Sequence, residues 1–212
     1  MNMDRKWKNV LNWPLFKTLI DVDELHKLEQ EYGTFRIEAA TIPMNDAEFQ
    51  HWHDAVAIKR KRRGEVALLI ENNKRQILLH TKSFYPNGVY RIPTGGIHFG
   101  ESVLAALERE MYEETGFDVL SKKLIALTLY QFTNSKSRVG FPSYLFRVTT
   151  TMTSPSPQDP GERITDFGWI DVSELEGVID RLQNLNEAWN EWGKMRAVPH
   201  RLALEYSRQA NE

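Results

Sequence analysis

Apolar residues recur at helical spacing in several segments of the chain. Leu25 and Leu28 lie on one face of a segment that ends before Gly33, and Val103, Leu107 and Met111 repeat the pattern further along. The start and stop residues around these segments suit helix caps. The predicted helices are residues 21–32, residues 103–115 between Ser102 and Gly116, a helix from Ser173 with Glu176 as its capping-box partner, and residues 185–208 with an interruption at Pro199.

Short apolar or alternating runs between turn residues indicate strands. Asn72-Asn73-Lys74 predicts a hairpin turn between two of these runs, and the segment 153–161, rich in proline and serine, predicts a loop. The predicted strands are 35–42, 55–58, 65–71, 76–81, 90–92, 124–132, 143–151 and 167–170.

The helix predicted before Gly116 carries Glu110, Glu113 and Glu114 in its last turns. The helix dipole makes this end partially negative, so each carboxylate there costs about 0.3–1 kcal/mol unless a cation compensates. The three carboxylates share one narrow arc, and their mutual repulsion should raise at least one pKa. A solvated acidic face is the alternative interpretation. The simplest compensation is a bound divalent cation, because hard cations such as Mg²⁺ prefer clustered oxygen ligands.

The stretch from Gly95 to Phe117 reads GGIHFGESVLAALEREMYEETGF and resembles the Nudix box of the Nudix hydrolases. The matching positions after Gly95 are Glu101, Arg109-Glu110, Met111, Glu113-Glu114, Thr115-Gly116 and Phe117. A weaker resemblance extends over roughly residues 54–171. One departure is the order Pro93-Thr94-Gly95-Gly96, since many relatives have proline directly before the first glycine.

The resemblance implies an α/β (α+β) fold, a Nudix-type α/β/α sandwich with a mixed sheet. It also implies hydrolysis of a phosphoanhydride bond in a nucleoside diphosphate linked to another moiety, with Mg²⁺ or Mn²⁺ as cofactor. Glu110 and Glu114 are the expected metal ligands, with Glu113 as a third. The expected proton acceptor is Glu162, which resembles a loop carboxylate of the family, or one of the box glutamates. Arg109 lies four residues before Glu113 and is expected to brace Glu101 or Glu113.

Substrate contacts are expected beside the box. Gly95 and Gly96 permit positive φ angles and close approach of the backbone, which suits a loop beneath a pyrophosphate. Arg91 and the preceding aromatic loop, 84–88, lead directly into the box. Tyr85 is therefore expected at the rim of the cleft, where its ring could stack on a nucleobase. The alternative for Tyr85 is that it only covers the loop.

Composition and charge limit the kinds of partner and of binding site that the sequence predicts. The 212 residues have a formal net charge of −2 and no cysteine, which predicts no attraction to nucleic acid and excludes disulfides and zinc–thiolate sites. The isomerase branch of the fold relies on a cysteine and is disfavoured. No apolar stretch at the N-terminus suits a signal peptide or membrane helix, so a cytoplasmic protein acting on a small-molecule nucleotide is expected. A non-catalytic nucleotide-binding or regulatory module of the same fold is the rival function.

The positions of the tryptophans predict how the terminal segments pack. Five of the six lie outside residues 54–180, at positions 7, 13, 52, 189 and 192, and large aromatic rings are costly to expose. We expect an N-terminal extension (1–48) and a C-terminal helical tail (183–212) to pack on a Nudix domain (49–182). A second subunit, giving a homodimer, and a small helical domain formed by both ends are alternatives.

Three further features are expected to have no role in catalysis. The basic run at 59–63 ends at Gly64 and predicts a solvated turn, with Arg62 or Arg63 contacting a phosphate as the alternative. His51 and His53 would share one side of a strand, but no third metal ligand lies nearby in sequence. His98, at a variable position of the box, is expected at the surface.

Overall fold

The computed structural model describes residues 14–209, so Trp7 and Trp13 lie outside the described residues. Five α-helices in this range are α1 (Val22–Tyr32), α2 (Asp46–His53), α3 (Val103–Thr115), α4 (Leu175–Gln183) and α5 (Asn190–Gln209). The strands are β1 (Arg36–Pro43), β2 (Gly64–Glu71), β3 (Ile77–Lys82), β4 (Thr94–Ile97), β5 (Ser121–Thr133), β6 (Arg138–Thr149) and β7 (Ile164–Ile170). Short π or 3₁₀ turns cover Asp54–Ile58, Pro160–Glu162, Val172–Glu174 and Glu187–Trp189.

The strands form one mixed sheet in the order β1-β5-β6-β2-β3-β7, and β4 pairs with β2. The pairs β1–β5 and β2–β6 are parallel, whereas β5–β6 and β3–β7 are antiparallel. The short strand β4 runs antiparallel to the first half of β2, with Glu65 opposite Gly96. This pairing places the glycines of the box against the centre of the sheet.

Strand β2 is buried along its whole length, and its alternate residues serve two different cores. Val66, Leu68 and Ile70 belong to a cluster that also contains apolar residues of α1 and α3. Ala67 and Leu69 belong to a cluster with apolar residues of α4 and α5. The molecule is therefore an α/β/α sandwich, as expected.

Both ends of the described chain pack on this domain. Phe16, Ile20, Leu25 and Leu28 share a core with the box helix α3. At the other end, α5 contributes residues such as Leu204 to the core on the opposite face of the sheet. The limits of the predicted extension, domain and tail stay predictions. In the structure, apolar residues from both ends belong to the same cores as the residues between them.

The predicted strand at 55–58 is wrong. Helix α2, capped by Asn45, continues into a π turn at Asp54–Ile58, where the Lys59 N–H donates to the Asp54 carbonyl over 2.7 Å. A four-residue apolar run is too short to distinguish a helix from a strand. His51 and His53 consequently lie on a helix and not on one side of a strand.

Three other boundaries differ from the expectation. Asp171 and Glu174 form the capping box before α4, in place of Ser173 and Glu176. The segment 90–92 is not a strand, since only Arg91 forms a bridge, to His80. Helix α5 continues through Pro199, because the Met195 carbonyl that loses its helical partner accepts instead from the Tyr130 hydroxyl at 2.9 Å.

No helix in residues 14–209 combines the length and the apolar character needed to cross a membrane.

Candidate active site

Helix α3 begins and ends at the expected residues. The Ser102 side chain accepts from the Ala105 N–H, and Gly116 ends the helix in the left-handed conformation with φ of 69°. Of the carboxylates near this end, Glu110 and Glu114 are buried, at 4% and 0% exposure, whereas Glu113 is half-buried. Two buried carboxylates one turn apart at the negative end of a helix require compensation by cations.

A third carboxylate reaches the helix from the loop before β7. The N–H groups of Ser156 and Gln158 donate to the carbonyls of Thr115 and Glu113, each over 2.8 Å. These bonds satisfy carbonyls at the open end of the helix, and they fix the loop that leads to Glu162. Oxygens of Glu110, Glu114 and Glu162 come within 4.8 Å of one another.

Lys82, at the end of β3, lies among these carboxylates and was not singled out from the sequence. Its Nζ donates to Glu114 Oε1 over 2.9 Å and also to Glu162. The side chain is only 7% exposed. Four of the five strand residues before Lys82 are buried, but nothing in that pattern indicates which groups the lysine contacts.

Arg109 braces the box by contacting four partners. Its guanidinium donates to Glu101 Oε1 at 2.8 Å, Glu110 Oε1 at 2.7 Å, Glu113 Oε2 at 2.9 Å and the Gly96 carbonyl at 2.8 Å. Glu101 also accepts from the His98 N–H. Although burial opposes it, the Arg109 bond and this N–H lower the pKa of Glu101. Glu113 therefore lies beside the cluster, held by Arg109, and outside the group that the structure brings together as candidate ligands.

The carboxylates of the cluster differ in their proton affinity. Burial raises the pKa of Glu114 to about 7 and that of Glu110 to about 6, and the neighbouring Lys82 and Arg109 offset this only in part. Burial acts the same way on Glu162, but its hydrogen bond from Lys82 prevails and lowers the pKa. For Lys82, burial is outweighed by Glu114 and Glu162, and the pKa is raised.

Neither box glycine needs a left-handed backbone, and only Gly95 is required for close packing. Gly95 and Gly96 lie in the extended strand β4, and neither has a positive φ. A Cβ at Gly95 would overlap the Cδ and Oε2 atoms of Glu110, so only glycine leaves room for that carboxylate. A Cβ at Gly96 would lie 3.6 Å from the Arg62 side chain. Neither glycine uses its freedom to adopt a positive φ, and the expected close approach of the backbone to a pyrophosphate stays a prediction.

Arg91 and Tyr85 contact each other. Arg91 is buried; it donates from Nε to the Tyr85 hydroxyl over 2.8 Å and from Nη1 to the Ile92 carbonyl and Thr94 Oγ1. The Tyr85 ring packs against Trp192, with centroids 4.9 Å apart. Both side chains are thus used within the protein, and the neighbouring Phe84 is the more exposed ring, at 46%.

The basic run is not uniformly solvated. Arg63 is buried and donates to Glu24 and to the carbonyls of Leu19 and Glu101, so it joins α1 to the box. Arg60 lies over the Phe99 ring at 4.3 Å. The side chain of His98 is exposed, as expected.

The chain is similar to known proteins in its sequence and fold. The NUDIX domain family matches residues 61–192. An RNA pyrophosphohydrolase of Ruthia magnifica subsp. Calyptogena magnifica is 39% identical over 82 residues, which is 39% of this chain and 42% of that protein. One of Bartonella quintana (strain Toulouse) is 26% identical over 105 residues, 42% of this chain and 61% of that protein. The match thus spans less than two thirds of either relative.

Among solved structures, the MutT NUDIX hydrolase from Burkholderia pseudomallei is 21% identical, with a TM-score of 0.45 over 66% of this chain and 94% of that chain. The family match covers more than half of the present chain and includes the entire box. The resemblance of the sequence to the Nudix box is thereby confirmed, and the chain belongs to the NUDIX domain family.

Proposed function

We propose that the protein hydrolyses a phosphoanhydride bond in a nucleoside diphosphate linked to a further group. The observation that carries the proposal is the convergence of Glu110, Glu114 and Glu162 at the end of the box helix. In addition, Glu114 Oε2 is buried and has no hydrogen-bond partner within residues 14–209, so a ligand oxygen is available inside the cluster.

These residues fit a divalent cation, with Mg²⁺ or Mn²⁺ as the candidate. Carboxylate oxygens are the ligands that such ions prefer, and Glu110, Glu114 and Glu162 would hold the ion. When bound, the ion supplies positive charge for phosphate oxygens and lowers the pKa of water. Because Lys82 shares Glu114 and Glu162 with the candidate ion, we expect the two cations to compete for these oxygens.

The remaining roles follow from the contacts. Glu162 has a lowered pKa and stays ionised, so it can accept a proton from the attacking water. Glu110 is the alternative proton acceptor among the box residues. Arg109 orients Glu101, Glu110 and Glu113 together, which fixes the carboxylates before substrate binds. Arg62, whose side chain lies beside Gly96, places positive charge near the box for an anionic substrate.

Gly95, Gly96, Arg91 and Tyr85 stay our predictions for the substrate side. Tyr85 keeps a half-buried ring beside the exposed Phe84, which supports a stacking surface at the end of β3. A cytoplasmic location, a nucleotide substrate without nucleic-acid binding, and a homodimer also stay predictions.

A substrate panel tests the proposal. ADP-ribose, a dinucleoside polyphosphate, nucleoside triphosphates and a short 5′-triphosphorylated RNA would each be incubated with Mg²⁺, and released phosphate measured with and without added phosphatase. The RNA is included because the two curated relatives are named RNA pyrophosphohydrolases. We expect turnover of at least one compound that is lost in Glu114→Gln. Tight binding of a nucleotide without cleavage would instead support the regulatory module.

A further inference from the structure

The chain just before the box glycines is held by the sheet and by one side chain from outside it. Between β3 and β4, the Pro93 carbonyl accepts from the Leu68 N–H of β2 over 2.9 Å, and Arg91 exchanges backbone bonds of 2.9 and 3.0 Å with His80 of β3. The next N–H, that of Ile92, donates to Nε2 of His200 over 2.9 Å. Ile92 is completely buried, so its N–H needs this acceptor. A side chain of α5 thus completes the backbone bonding of the segment that enters the box.

Helix α5 presents His200 in a defined state. The imidazole is fully buried, and its Nδ1 lies 2.7 Å from the Arg196 carbonyl. A carbonyl only accepts, so Nδ1 carries the hydrogen and Nε2 keeps the lone pair that Ile92 requires. Burial lowers the pKa of His200 to about 3, which keeps this neutral tautomer at ordinary pH.

His200 is one of three residues, spaced by four, that form one face of α5. Trp192 packs on Tyr85 at 4.9 Å. Arg196 donates to both carboxylate oxygens of Glu65, at 3.0 and 2.8 Å, in a buried pair. Glu65 lies opposite Gly96 in the sheet. The helix therefore contacts the aromatic loop, the strand behind the box glycines and the chain that enters them.

We propose that α5 is a positioning element of the active site and that His200 holds the Ile92–Gly96 segment in place beneath Glu110. The expected effect on the catalytic rate rests on the proposed hydrolysis. The structural role of His200 rests on geometry alone. Arg196 and His200 lie beyond the residues matched by the NUDIX family. Gly95 packs directly against Glu110, so a shift of this segment displaces a carboxylate of the cluster. Small misplacements of catalytic groups can lower a rate by about 100-fold.

Matched variants of His200 separate positioning from packing. Asn is too short to reach the Ile92 N–H, whereas Gln can place an oxygen near the position of Nε2. Leu204→Ala is the control, since Leu204 lies one turn further along α5, is equally part of the core and has a purely apolar side chain. All variants would be compared at a temperature at which circular dichroism shows them folded.

Two measurements are made on each variant. Hydrogen exchange reports the amides of Ile92, Gly95 and Gly96 without any substrate, and steady-state kinetics reports kcat and KM on the substrate found in the panel. We expect His200→Asn to speed exchange of the Ile92 and Gly95 amides and to lower kcat about tenfold or more, with KM within about twofold. His200→Gln should recover much of both, and Leu204→Ala should lower only the melting temperature.

Two results would overturn the proposal. One is unchanged exchange of these amides in His200→Asn. The other is an equal fall of kcat in Leu204→Ala at matched stability. If the wild type turns over no compound in the panel, the proposed hydrolysis fails, but the exchange measurement still decides whether His200 holds the segment.

Discussion

Lowering the pH from 8 to 6 should weaken Mg²⁺ binding by about 20-fold. Burial raises the pKa of Glu110 to about 6 and that of Glu114 to about 7, so each is partly protonated at pH 6. A cation needs the ionised form of its ligands. If both must ionise, Glu110 weakens binding by a factor of about 2 at pH 6 and Glu114 by about 11, and their product is about 20. At pH 8 the combined factor is close to 1.

Isothermal titration calorimetry at pH 6, 7 and 8 and constant ionic strength measures this dependence. Glu114→Gln removes the group with the higher pKa, so its remaining dependence should be about twofold. Glu108→Gln, an exposed carboxylate on the same helix that pairs with Lys122, should keep the full slope. Affinity in the wild type that varies by less than about threefold would refute the reasoning, as would a full slope in Glu114→Gln.

The same pKa shifts act on stability with the opposite sign. Both folded-state values exceed 4.5, the value expected for an exposed glutamate, so the folded protein binds more protons than the unfolded chain between about pH 4.5 and 7. Without added cation, this contribution should lower the melting temperature as pH rises through that range. Added Mg²⁺ should reverse part of the loss at pH 8, because it binds the native state.

Three further changes test the site. Glu114→Gln should abolish metal-dependent turnover with the fold retained. At Mg²⁺ 100-fold above the wild-type Kd, the wild type should gain about 2.7 kcal/mol in unfolding free energy and Glu114→Gln clearly less, because it binds the ion more weakly; equal gains would place the ion elsewhere. Gly95→Ala should lower the free energy of unfolding in denaturant by about 1–3 kcal/mol and lower activity at least tenfold, because the added methyl overlaps Glu110. Gly168→Ala is the control: its methyl enters open space, so its stability and activity should match those of the wild type. Tyr85→Ala should raise KM several-fold with kcat little changed if the ring stacks on a base; a loss confined to the melting temperature would assign Tyr85 to packing.

Local signals explain which parts of the fold were predictable. Helix α3 has a serine cap, a terminal glycine and a regular apolar face, and it begins and ends where these signals place it. Helix α1 likewise begins after Asp21, whose side chain accepts from two backbone N–H groups, and ends at Gly33. Such residues determine helix ends through contacts within a few positions in sequence, so a single chain is enough to read them.

The misassigned segments depend on distant partners. Residues 54–58 continue a helix because Val56 is buried in a core that also contains Phe132 and Met195, residues far away in sequence. Pro199 remains inside α5 because Tyr130, on β5, bonds the carbonyl that the proline leaves without a helical partner. Neither partner can be recognised from the local pattern.

Only part of the candidate site could be predicted from the sequence, because only some of its residues lie close together along the chain. The box motif identified Glu110 and Glu114, since both lie on one helix. Lys82 joins them from 32 residues away, through the register between β3 and its neighbours, and nothing in its surroundings in sequence indicates a cation. Arg63 was also assigned to a solvated turn, although contacts with α1 and the box bury it.

The parallel pairing of β1 with β5 has a consequence for synthesis of the chain. Arg36 lies opposite Ala126, so β1 leaves the ribosome about 90 residues before β5, its one neighbour in the sheet within the described range 14–209. At translation rates of about 5–20 residues per second, the delay is roughly 5–20 s. During that interval Ile37 and Ile42 have no strand to pair with, although the adjoining helix α1 can already form from local contacts. The apolar side of β1 therefore stays unpaired in the nascent chain until β5 emerges, and parallel pairing of this kind is slow to form.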